Sequence, residues 1–178
     1  MTPADLYRTC GASAWRLEVL QHYTGTADEE RQRAFHADEP LPPPGPGKLS
    51  SLALISRLRQ AGRQVGRVHI VSQPLSAYVQ YELAAYAENV AAGEEIRIAD
   101  KSLHPELGSI TQDFAIFDEE TSRATVVFFD YDDAGLIRGY QVTDDAETIE
   151  RCRRQRKLAL ARSVPLADFT AASLNTAP

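Results

Sequence analysis

The residues that could do chemistry gather in the middle of the chain. Arg67 and His69 alternate in RVHIV (67–71), a β-branched run that reads as a buried strand, so both share a face with Val71. The segment Pro74–Ala92 reads as a helix ending at Gly93. Leu75, Val79, Leu83, Tyr86 and Val90 form its core stripe. Tyr78, Glu82, Ala85 and Asn89 form a second stripe at i, i+4, i+7 and i+11, and Tyr81 lies between the two. A solvated helix face would carry Lys and Glu. Tyrosines with a carboxylate and an amide instead suit a polar binding groove or a protein contact, because Tyr offers area at low entropy cost. His69 and Glu82 could act as an acid–base pair if they meet within about 7 Å in one cleft. The plainer role for His69 is a hydrogen-bonded structural histidine. Asp113 and Asp118 flank DFAIFD (113–118); about 17 Å apart on one strand, they cannot form a carboxylate dyad and suit turn amides better. The residues expected to line any site are therefore Arg67, His69, Tyr78, Tyr81, Glu82, Asn89 and Asp113.

Other catalytic signatures are missing. The sequence has no phosphate-binding Gly-rich loop followed by Lys, no GxSxG, no HExxH and no CxxC. His22, His36, His69 and His104 are scattered, and Cys10 and Cys152 fit neither a disulfide scaffold nor a zinc spacing. We expect no metal, no cofactor and two free thiols.

These residues need a scaffold, and the patterning predicts one. Ser13–Tyr23 alternates Trp15, Leu17 and Val19 with polar neighbours, as a half-buried strand does. Ala27–His36 reads as a short helix, Glu39–Gly47 as an exposed Pro-rich connection, and Leu49–Gly62 as a helix with Leu52, Ile55 and Leu58 on one face. Val65–Val71, the helix from Pro74 and Glu95–Ala99 make a βαβ unit with parallel strands. Asp113–Asp118, Arg123–Asp130 and Leu136–Val142 follow as an antiparallel meander. Asp144, with Glu147 three residues on, marks the cap of a last helix running to about Ser163, and the small, polar segment from Ala167 reads as a tail. The expected fold is α/β: a mixed central sheet with one βαβ unit and an antiparallel meander, flanked by helices. It forms a single domain over residues 1–166 with a flexible tail over 167–178.

The 178 residues carry a net charge of −6, which argues against nucleic-acid binding by the whole surface. The charge is uneven, however. Residues 151–162 hold Arg151, Arg153, Arg154, Arg156, Lys157 and Arg162 with no acid. Arg151, Arg154 and Arg162 share one helical face, and the default for such a block is a solvated face that offsets the helix dipole. Docking on phosphate, DNA or an acidic protein surface is the alternative. No apolar run approaches the roughly 20 residues of a membrane span, and no basic, then apolar leader opens the sequence, so a cytoplasmic location is expected.

RVHIVSQPLSAYVQYELAAYAENVAAGEEIRI (67–98), DFAIFD (113–118) and CRRQRKLALARSVPLADF (152–169) resemble a domain family of unknown function abundant in actinobacteria. That family carries RVHVV-PL--Y--YEL-----N--AGE-IRI, then DFWLFD and a YD--G turn, and the likeness extends to Ala14, Arg16, Leu17, Glu18 and Tyr23. The chain departs at Ala115, where the family has Trp, which removes any ligand contact made through that ring. The element order also resembles a phospholipase D-like half-domain. Placing the Asp of its HxKxxxxD motif on Asp118 puts Thr111 at the nucleophile and Asp113 at the Lys. The resemblance thus implies a non-catalytic relative. Family members encoded beside small helix-turn-helix regulators imply a regulatory role, with such a regulator or self-association as the partner. The expectation is a non-enzymatic binding module for a protein partner or small ligand; the alternative is an enzyme acting on a nucleotide or phosphodiester through His69 and Glu82.

Overall fold

The computed structural model describes residues 1–25 and 28–175. Three parallel strands form the middle of its sheet: β1 (Ser13–Glu18), β2 (Gln64–Val71) and β3 (Glu95–Asp100). An antiparallel meander extends from β1: β4 (Phe114–Phe117), β5 (Thr125–Tyr131) and β6 (Ile137–Thr143). A short β7 (Ser163–Pro165) runs antiparallel to β3, giving the order β6-β5-β4-β1-β2-β3-β7. The helices are α1 (Pro3–Thr9), α2 (Glu29–His36), α3 (Pro46–Gln60), α4 (Ala77–Ala91), α5 (Ala146–Ala161) and α6 (Leu166–Asn175). The fold is therefore α/β, as the patterning predicts, but β1 is a third parallel strand. A second crossover, through α2 and α3, joins it to β2.

Strand alternation divides the core between two faces. Trp15, Leu17, Val68, Ile70, Phe114, Ile116 and Val126 face α5, which buries Ile149, Cys152 and Ala159 against them. Gly66 lets the Trp15 ring lie across β2, since a Cβ there would collide with it. On the opposite face, α1 and α3 bring Leu6, Ile55 and Leu58 onto Ala14, Val65, Ala115 and Phe117. There too, α4 brings Val79, Leu83 and Tyr86 onto Val71, Ile96 and Ile98. Ala115 is fully buried in this core.

Several boundaries differ from the sequence reading, each for a local reason. A capping box between Thr2 and Asp5 starts α1, which the reading missed. The α4 cap is Ser76, whose Oγ accepts from the Val79 amide, so the helix begins past Pro74. The α5 cap is Asp145 rather than Asp144, because its carboxylate accepts from the Thr148 amide. Leu166–Asn175, read as a tail from Ala167, is helical because Leu166 docks into the core with Tyr78 and Leu83. Thr176–Pro178 lies outside the described residues, as does Ala27 at the start of the expected second helix.

Candidate functional site

The site begins with two charged residues on β1. Arg16 and Glu18 point to the α4 face, and the parallel register sets Arg16 beside Arg67 and Glu18 beside His69. Four polar side chains thus form a square on a surface that is otherwise core. Glu18 is its centre. Arg16 Nε lies 2.9 Å from Glu18 Oε1, Arg67 Nη1 donates to Glu18 Oε2 at 3.0 Å, and Tyr86 Oη donates to the same oxygen at 2.8 Å. Burial alone would raise the Glu18 carboxyl; the Arg67 and Arg16 guanidiniums overcome this and hold it at about 2. Arg67 Nε also donates to Glu94 Oε1 at 3.1 Å, and its guanidinium stacks over the Tyr86 ring. The chain of contacts then runs from Glu94 through Asn89, whose Nδ2 donates at 2.6 Å, to Lys48, whose Nζ donates to Asn89 Oδ1 at 2.6 Å.

Helix α4 supplies the facing wall. Tyr78, Glu82, Ala85 and Asn89, the stripe singled out by spacing, line a cleft of about 380 Å³ between α4, β1 and the start of α3, and so does Tyr81. Five tyrosines border it: Tyr23, Tyr78, Tyr81, Tyr86 and Tyr131. Tyr23 packs edge-on against Tyr131 and tilted against Tyr78, with centroids 5.3 and 5.5 Å away. Arg16 Nη2 donates to Tyr131 Oη at 3.0 Å, although burial still pushes that phenol up to about 12.

His69 lies beneath this cleft and is not in its lining; none of its surface is exposed. Its Nε2 faces the Leu20 carbonyl at 3.0 Å, an acceptor only, so that nitrogen carries a hydrogen. Its Nδ1 stands 3.3 Å from Glu82 Oε2 and 3.0 Å from Tyr86 Oη. Burial first, then the charge of Glu18, raises the Glu82 carboxyl, and Glu82 Oε2 is buried beside His69 without a hydrogen-bond partner among the described residues. His69 and Glu82 therefore meet the distance an acid–base pair needs. Only Glu82, however, can touch a molecule in the cleft.

Glu18, His69 and Glu82 also offer three donor atoms within 4.8 Å of one another. Yet Tyr86 Oη bridges Glu18 and His69 where an ion would have to sit, and two guanidiniums already occupy Glu18. Glu18 and His69 thus already spend their donor atoms on protein contacts, although Glu82 Oε2 has no hydrogen-bond partner among the described residues, and the set does not fit a divalent cation.

Of the expected residues, Arg67, Tyr78, Tyr81, Glu82 and Asn89 come together in the cleft. Asp113 lies behind it, accepting from Tyr23 Oη at 2.6 Å and the Val19 amide at 2.8 Å, and it borders a neighbouring cleft instead. Asp118 sits at the far end of β4 in a left-handed turn, φ 50°, and accepts from the Gly11, Ala12 and Ser13 amides. Sequence reasoning missed Arg16, Glu18, Lys48 and Tyr131 as site residues. The signal for the first two was present as charges at i and i+2 of an apolar strand.

The basic helix is only partly the solvated face expected of it. Arg151, Arg154 and Arg162 are exposed and Arg162 is the C-cap of α5, but no basic residue occupies the last turn itself and other arginines of the block are engaged by the protein. Arg153 and Arg156 both bond Glu119, and the Arg156 guanidinium lies 4.0 Å over the Trp15 ring. Arg162 Nε bonds Glu106 at 2.7 Å, and Arg151 covers the Phe128 ring. These contacts fasten α5 to the sheet and its loops, while Arg151, Arg154, Lys157 and Arg162 keep exposed surface.

Fold and site together define an α/β domain with a polar cleft built across two parallel strands and one crossover helix. The chain belongs to the family described as Domain of unknown function (DUF6879), which matches residues 2–171. No curated protein matches it. Among the described residues, no helix is long and apolar enough to cross a membrane.

Proposed function

We propose that this chain is a ligand-binding module whose cleft takes a small polar molecule and reports its presence within a cytoplasmic regulatory system. One observation carries the reading: an ionised network lies buried beneath an open, tyrosine-walled cleft. Buried ion pairs add little stability that apolar residues could not supply, so such a floor supports a binding role over a structural one. The cleft volume is within the usual range for small-molecule sites, and polar groups converge on it from β1, β2, α3 and α4. An actinobacterial lineage and kinship with a non-catalytic phospholipase D-like half belong to the same reading, on the likeness of the sequence segments and of the element order.

Native mass spectrometry of the full chain isolated from its own cells tests this. A small molecule bound to the chain, and lost from a Ser51→Trp variant that plugs the cleft from the exposed α3 side, supports the reading. A stoichiometric protein bound in its place overturns it, as does a bare chain that no metabolite panel stabilises.

The 3.3 Å contact between His69 and Glu82 favours a second reading, an enzyme in which Glu82 is the proton donor and His69 positions it. Turnover of a nucleotide or phosphodiester that disappears in Glu82→Gln would support it. Equal turnover in both proteins would remove it.

A further inference from the structure

The charges of the cleft are ordered by depth. The carboxylates that pair with the arginines lie deep: the Glu18, Glu94 and Asp113 side chains are only 3 %, 4 % and 0 % exposed. The guanidiniums lie above them, Arg16 at 23 % and Arg67 at 16 %. The floor therefore presents cations to the cleft and keeps their counter-charges behind. Its donors are not used up. Arg16 engages the protein through Nε and Nη2, and Arg67 through Nε and Nη1. Arg16 Nη1 and Arg67 Nη2 thus carry no protein hydrogen bond among the described residues. Half-buried Lys48 lines the same cleft and spends one of its three donors on Asn89. No carboxylate among the described residues lies within ion-pair distance of it, and burial, then the Arg67 charge, depresses its pKa. Two other carboxyls face the space. Glu82, whose carboxyl is raised by burial and then by the Glu18 charge, stands 3.3 Å from His69 Nδ1, and Asp28 stands at the Tyr81 wall beside Arg31.

We propose that the ligand of this cleft carries an oxyanion, a phosphate or a carboxylate, held by Arg16, Arg67 and Lys48, with its remaining body against the tyrosine wall. This rests on the cleft being the ligand site. An incoming oxyanion meets the free guanidinium nitrogens and gives Lys48 the charge partner it lacks, while Glu18 and Glu94 hold the arginines in place. The tyrosine rings offer flat apolar faces beside that head group.

Calorimetric titration of the full chain tests it, with a nucleoside 5′-monophosphate, the matching nucleoside, inorganic phosphate, an aromatic carboxylate and a polyamine as probes. The expected result is binding by at least one phosphate or carboxylate. The matched neutral nucleoside should bind at least tenfold more weakly than its monophosphate if the phosphate is the head group. Binding should weaken as salt rises, and Lys48→Met should weaken it at least tenfold. Lys101→Met, outside the cleft, should leave it unchanged, and both variants should keep the parent circular dichroism spectrum. A panel in which no oxyanion binds overturns the proposal. So does Lys48→Met binding like the parent, or the nucleoside or polyamine binding as tightly as the anions. If native mass spectrometry finds a neutral or cationic molecule in the cleft, the anion proposal fails while the ligand-binding reading stands.

Discussion

Replacing Glu18 with Gln removes one negative charge and almost no volume from the centre of the site. In the folded protein the Arg67 and Arg16 guanidiniums, against the opposing effect of burial, hold this carboxyl at about 2, compared with an ordinary 4.5. At roughly 1.4 kcal/mol per pH unit, that difference corresponds to about 3 kcal/mol of stability at neutral pH. A second route gives a similar figure: breaking a buried ion pair by removing one partner costs about 3–5 kcal/mol, because the other charge stays desolvated. Here two guanidiniums would be left, and Gln would turn an N–H toward one of them. The folded pKa is depressed, so the contribution is complete above the ordinary 4.5, erodes as pH falls below it and is gone below about 2. Urea denaturation of parent and Glu18→Gln across this range measures both quantities. The expected result is a loss of about 3 kcal/mol at pH 7 that shrinks toward zero as the solution is acidified. A variant within about 0.5 kcal/mol of the parent at neutral pH, or a difference that does not shrink in acid, would refute the reasoning.

Three further outcomes follow from neighbouring contacts. Glu82→Gln should stay within about 1 kcal/mol of the parent at pH 7, since a carboxyl with a raised pKa gains little from ionising there; a loss matching that of Glu18→Gln in the same urea titration would contradict the raised carboxyl. Asp118→Ala should cost about 2–3 kcal/mol, because the Gly11, Ala12 and Ser13 amides lose their common acceptor. Equilibrium denaturation checks this, and a negligible change would mean that water replaces the carboxylate. Gly66→Ala should cost about 1–3 kcal/mol through collision of the new Cβ with the Trp15 ring. Quenched or shifted Trp15 fluorescence should accompany the loss, and an unchanged melting temperature would rule out the close packing.

Much of the fold was legible because its hydrophobic periodicity is strong. Val65–Val71, the second stripe on α4 and the three meander strands all fall where apolar spacing puts them. What failed was the meaning of polar alternation. In β1 the residues between Trp15 and Val19 read as a solvent face, because on most half-buried strands they are one. Glu18 is instead almost wholly buried, since α4 and the tyrosines close over that face. The basic helix was legible only in part: Arg151, Arg154 and Arg162 are exposed as a charged face should be, but spacing did not show that Glu119, Glu106 and the Trp15 ring stand beside the block.

The sequence by itself determined six of the seven strands, the crossover helix and the stripe Tyr78, Glu82, Ala85 and Asn89, because these depend on spacing along one element. The tertiary structure alone decided that Arg16 stands beside Arg67 and Glu18 beside His69, and that Lys48 reaches Asn89. Those meetings depend on strand register and on how a crossover returns to the sheet. A one-residue slip of β1 would send Arg16 and Glu18 to the α5 face and dissolve the site. Spacing can place a charge on a face, but only packing decides what that face meets.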